Sequence, residues 1–140
     1  MTRVDFYLLE STRPQALEQF TCRLVEKAHG LGHRVFVHLA SADHARQLDE
    51  LLWTFREQSF IPHGLAASTD PVEPVQIGHG QEPPHGFETL VNLHSEVPLF
   101  FSRFERVAEI VPADEAARQT ARERYRFYKD RGYPLKTHRL

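Results

Sequence analysis

The sequence predicts an α/β protein in which a mostly parallel sheet lies between layers of helix. Three observations carry that expectation. Short apolar runs of strand type alternate with longer runs of helical periodicity. The chain has 140 residues, which is most simply one domain, 1–140, large enough to bury a core without metal or disulfide support. Its hydrophobic content of 41% and charged content of 26% are those of an ordinary soluble globular protein rather than a membrane or disordered chain.

The elements follow in order. "RVDFYLL", residues 3–9, is apolar and aromatic and reads as a strand. Pro14 is expected in the first turn of a helix, where its missing N–H costs little. Leu17, Phe20, Leu24, Val25 and Ala28 continue that helix at its proper spacing, and Gly30 and Gly32 stop it. "RVFVHLA", residues 34–40, reads as a buried strand. Ser41 is expected to cap the next helix, with Asp43 in its first turn and Ala45, Leu48, Leu51, Leu52 and Phe55 on its inner side.

From 58 to 86 the pattern breaks at Pro62, Pro71, Pro74, Pro83 and Pro84, and only "PVQIG" suggests a brief strand. "ETLVNLH" is a clearer strand, "PLFFSRF" suggests one helical turn, and "RVAEIV" is a further strand. Pro112 opens the last helix, Asp114 and Glu115 suit its positive end, and Gly132 with Pro134 ends it near Arg131. The expected whole is a three-layer Rossmann-like sandwich. Its phosphate chemistry is missing, because "LLESTRPQ" after the first strand holds no glycine to turn around a pyrophosphate and no G-x-x-x-x-G-K-[ST] loop occurs. Fold alone then assigns no function.

Other classes are disfavoured on the same grounds. "MTRVDFYLLESTR" is too short in its apolar part and too charged for a secretory leader. No run approaches the roughly 20 apolar residues of a membrane span. Cys22 is the only cysteine, so no internal disulfide is expected, consistent with a reducing cytoplasm. Nine histidines stand without an H-E-x-x-H or Cys-x-x-Cys pattern; His63, His79 and His85 are the three with any prospect of meeting, and no metal or other cofactor is expected. Mid-helix Cys22 reads as a small core residue, and Asp5, without a partner base or nucleophile, as structural. No catalytic constellation emerges.

The charge is uneven. The net charge of −2 hides a segment, 118–140, with eight Arg and Lys against two acids, a local +6 against −8 for the rest. Such a layout suits a local anionic partner. At roughly 100° per residue with Arg118 at zero, Tyr125 falls near −20°, Lys129 near +20°, Arg122 near +40° and Arg126 near +80°. Four cations and a tyrosine therefore share one stripe of the last helix. Ala117, Ala121 and Tyr128 fall on another side, free to pack on the domain, and Arg139 lies beyond the helix stop. A solvated cationic face accounts for this pattern, and so does a groove in which arginine forks grip carboxylates beside an aromatic seat. "LLWTFREQSFIPHGLA", residues 51–66, is a second outlier. Its large apolar side chains, Trp53, Phe55, Phe60 and Ile61, suit either the core or a contact patch.

These stretches, with "DFYLL", "LVNLHSEVPLFFSRFERVAEIVP" and "ARERYRFYKDRGYPL", resemble the chi subunits of the bacterial DNA polymerase III holoenzyme over nearly the whole chain; residues 70–88 match least. The resemblance implies a Rossmann-like, non-catalytic adaptor with two protein partners: the psi subunit of the clamp loader, and the acidic C-terminal tail of single-stranded DNA-binding protein. That tail ends in an Asp-Phe-Pro-Phe-type sequence with a free carboxylate. By position in the motif, Arg122, Tyr125 and Arg126 would form the tail site, with Arg118 and Lys129 on its rim and Val111 and Trp53 as walls. Phe60 in "SFIPH" would face psi. Direct binding of single-stranded nucleic acid stays open, since basic side chains interleaved with aromatics also suit phosphates and stacked bases; the acidic remainder of the chain argues against it. An enzyme with an unrecognised nucleotide site is a third possibility, disfavoured by the glycine-free first loop.

Overall fold

The computed structural model describes residues 2–54, 61–65, 73–80 and 82–140. In chain order the elements are β1 (Arg3–Leu8), α1 (Ala16–Gly30), β2 (Val35–Leu39), α2 (Ala42–Thr54), β3 (His63–Leu65), β4 (Val75–His79), β5 (Thr89–Asn92), β6 (Arg106–Val111), α3 (Glu115–Asp130) and β7 (Leu135–Arg139). A single 3-10 turn, Phe101–Arg103, precedes β6. The described strands form one sheet in the order β3-β4-β2-β5-β6-β1-β7. Every ladder in it is parallel, as the alternation of strand and helix predicts.

Strand alternation divides the core into two layers. Val35, Val37 and Leu39 of β2 and Ala108 and Ile110 of β6 turn toward α1 and α2, where they meet Cys22, Val25, Ala45, Leu48 and Leu52. Val4, Phe6, Phe36, Val107 and Val111 turn to the other face and pack on Phe101, Phe104, Ala121 and Tyr128. Helices α1 and α2 thus cover one face of the sheet and α3 the other, which is the three-layer arrangement. Burial pushes the Cys22 thiol up to about 12, as befits a core residue rather than a nucleophile. Asp5 is structural as expected: Arg106 and His138 reach its carboxylate at 3.4 and 3.1 Å.

Four details depart from the sequence reading. Pro14 sits in the turn before α1, not inside it; the helix starts at Ala16, and Gln15 before it takes φ 62°. Pro112 likewise lies outside α3, whose cap is Asp114: its Oδ1 accepts from the Ala117 N–H at 2.8 Å. Two strands were not expected, β3 at one edge and β7 at the other. The turn that launches β7 is built by Gly132 at φ 78°. There the Gly132 N–H donates to Lys129 O at 3.0 Å and the Tyr133 N–H to Tyr128 O at 3.2 Å, while the Tyr128 and Tyr133 rings pack together. This Schellman closure reverses the chain so that β7 runs beside β1 under α3.

Candidate partner-binding groove

The stripe expected on α3 borders a real depression. A groove of about 270 Å³ runs between α3 and the edge of the sheet, lined by Arg118, Ala121, Arg122 and Tyr125 from the helix. Phe6 and Leu8 of β1 and Thr137 and Arg139 of β7 line it from the sheet. The floor is apolar because β1 shows its even-numbered residues to this face. The Tyr125 ring stands edge-on to Phe6 at 5.4 Å between centroids, and this contact fixes an aromatic surface in the groove.

The arginines are held differently. Arg118 donates from Nη2 to the Leu9 carbonyl at 2.9 Å, which pins it at the end of β1. Arg122 is exposed and donates from Nη1 to Glu115 at 3.2 Å and Gln119 at 3.0 Å, surface contacts that cost little to exchange for a ligand. Arg126 and Lys129 are exposed on the same helix but do not line the groove.

Away from the groove, over β5 and β6, α3 is bolted to the sheet by a polar cluster. Glu109 of β6, fully buried, accepts from Arg124 Nε at 2.9 Å, from the Tyr128 hydroxyl at 2.7 Å and from the Asn92 amide at 3.1 and 3.0 Å. Arg124 Nη1 also donates to Ser95 O at 3.0 Å. Burial pushes the Glu109 carboxyl upward, while Arg124 and the hydrogen bonds pull it back. The Tyr128 hydroxyl is driven up by burial first and by Glu109 next. The sequence reading overlooked Arg124. Its own geometry held the signal, since Arg124 falls about −120° from Arg118, beside Ala117, Ala121 and Tyr128 on the packing side.

Not all expected site residues come together. Arg118, Arg122 and Tyr125 do. Val111 does not form a wall: it is fully buried in the core under α3. Trp53 is remote, since it projects from α2 against the His63 ring of β3 at 4.1 Å, at the opposite edge of the sheet from β7. Phe60 lies outside the described residues. Arg139, set apart by the helical stripe, lines the groove after all.

Other constellations take other forms. His63 is buried and bonded to Ile61 O and Asp49 O, and His85 meets Arg103. Among the described residues no three His, Cys, Asp or Glu are grouped to hold a metal ion. No described helix is long and apolar enough to cross a membrane. The loop after β1, where related folds turn around phosphate, borders a hollow lined by Arg13, Glu18 and Asp114, two acids against one cation.

The family model described as DNA polymerase III chi subunit, HolC, matches residues 1–136. A relative from Pseudomonas aeruginosa, named DNA polymerase III subunit chi, is 47% identical over 140 residues, covering 100% of this chain and 98% of its own. Proteins of the same name from Escherichia coli (32% identical, 98% of this chain, 97% of that one) and Haemophilus influenzae (30%, 95% and 94%) are also similar. Among solved structures, the crystal structure of T4 UvsW superposes with a TM-score of 0.65 at 9% identity, over 99% of this chain and 42% of that one. At that identity the likeness concerns the fold alone.

Proposed function

This chain belongs to the DNA polymerase III chi subunit family, and from that premise we propose a non-catalytic adaptor whose α3 groove holds the acidic C-terminal tail of single-stranded DNA-binding protein. A second surface, including Phe60, takes the psi subunit of the clamp loader. One observation supports the tail site above the rest: arginines stand beside an apolar floor that ends in the Tyr125–Phe6 edge contact. A phenylalanine with a free terminal carboxylate needs both halves at once, an apolar seat for the ring and a guanidinium for the acid.

Direct binding of single-stranded nucleic acid is the competing reading, favoured by the local +6 of residues 118–140 and opposed by the −8 of the remainder. The two differ in salt response. An acidic peptide ending in Asp-Phe-Pro-Phe and a labelled oligonucleotide are each titrated at two salt concentrations. We expect the peptide to saturate at one per chain and to lose most of its affinity when the terminal Phe is removed. The oligonucleotide is expected to bind weakly and to fade as salt rises, because its binding rests on counterion release. Tighter, peptide-competed binding of the oligonucleotide at both salt concentrations would favour the nucleic-acid reading instead.

A further inference from the structure

The edge strand β7 gives the groove a second cationic side. We propose that Arg139 is a second carboxylate-binding arm facing α3, so that the groove selects a peptide carrying an acidic side chain in addition to its terminal carboxylate. This inference rests on the acidic-tail reading and names which part of the tail each wall recognises.

Its placement follows from strand geometry. Successive β7 side chains alternate between faces: Leu135 packs into the core under α3 and Thr137 and Arg139 line the groove, whereas His138 turns the other way to Asp5 and stacks on Tyr7. The register sets Thr137 beside Phe6 and Arg139 beside Leu8. The Leu140 N–H donates to Leu8 O at 3.1 Å, which holds the main chain of β7 down just beyond Arg139. Arg139 therefore rises from the floor strands, across from the arginines on the helix.

Charge accounting then defines the ligand. Three arginines and no acid line the groove. Arg118 is committed to the Leu9 carbonyl and Arg122 leans on Glu115 and Gln119, whereas Arg139 has no side-chain partner among the described residues. A ligand with one carboxylate satisfies one fork and leaves the opposite wall uncompensated. A ligand with a terminal carboxylate for α3 and a side-chain carboxylate a short distance along its backbone satisfies both.

The full chain is titrated with three peptides: the acidic Phe-terminated one, the same with every Asp replaced by Asn, and the acidic one ending in an amide. Arg139→Ala is expected to bind the acidic peptide about tenfold more weakly than the unmodified chain, the order expected for a partly exposed charge pair. It should lose nothing further with the Asn peptide, and should keep its tenfold deficit with the amide. Arg139→Lys should recover part of the loss, because a point charge lacks the fork. Lys136→Ala, on the exposed strand but the other face, should stay within about twofold. If Arg139→Ala binds the acidic peptide as the unmodified chain does, the second arm is wrong while the tail site stands. An undiminished deficit against the Asn peptide, or an equal loss in Lys136→Ala, also contradicts it. Failure of the acidic peptide to bind the unmodified chain at all overturns the tail reading itself.

Discussion

His38 shows how a single buried side chain ties pH to the fold. It is 7% exposed in β2, its Nδ1 lies 3.2 Å from Asn92 Oδ1, and its ring stacks on His94 at 5.3 Å. Burial lowers its pKa first; the Asn92 contact opposes that shift and His94 adds to it. A base whose pKa is lower folded than unfolded binds its proton less readily in the native state. The stability it contributes is therefore complete above the ordinary histidine range and is lost as pH falls through the folded value. Thermal melts between about pH 7 and pH 5 should show a falling Tm that is shallower in His38→Gln. Equal slopes in the two proteins would remove His38 as a source of the acid sensitivity.

At the scale of elements, α3 matters most, because it forms one wall of the groove and covers one face of the sheet. Its anchor is Glu109, fully buried beneath Arg124, itself 6% exposed. Glu109→Ala leaves a buried guanidinium without its acid and the Tyr128 hydroxyl without its acceptor. Such a break costs about 3–5 kcal/mol, so denaturant unfolding should show a loss of that order. A loss under about 1 kcal/mol would mean that α3 is held by its apolar side alone.

The helix was legible in the sequence because its two faces differ in kind, with Ala117, Ala121 and Tyr128 on one and the cations on another. Strand β7 was not. "LKTHR" carries no apolar run, and an edge strand hydrogen-bonded on one side only, with Thr137 and Arg139 toward a wet groove, needs none. Its alternation was present but too short and too polar to distinguish from a tail. The same blindness set Arg139 apart from a site it lines. Trp53 was misplaced for another reason: similarity in sequence says nothing of which sheet edge a side chain occupies, and α2 carries it to β3.

For the whole molecule, strand order places the groove and β3 at opposite edges of the sheet. The groove lies at the β7 edge; Thr54 and Ile61, the described residues flanking the segment that holds Phe60, belong with α2 and the core beside β3 at the other edge. On the function proposed above, an adaptor built this way would hold its two partners at once without competition between them. That arrangement predicts a double dissociation: Phe60→Ala should weaken psi and spare the tail peptide, and Arg122→Ala should do the reverse.

The tail arm of that experiment tests the central claim most directly. Isothermal titration of the acidic Phe-terminated peptide into the unmodified chain, Arg122→Ala and Phe60→Ala compares a groove substitution with one on the proposed psi surface. Truncating one partner of a desolvated charge pair costs about 2 kcal/mol or more, roughly 30-fold in affinity. Arg122→Ala should weaken the peptide by at least about 30-fold with an unchanged melting temperature, and Phe60→Ala should leave its affinity within about twofold. Equal affinity for the unmodified chain and Arg122→Ala would contradict the groove as the tail site.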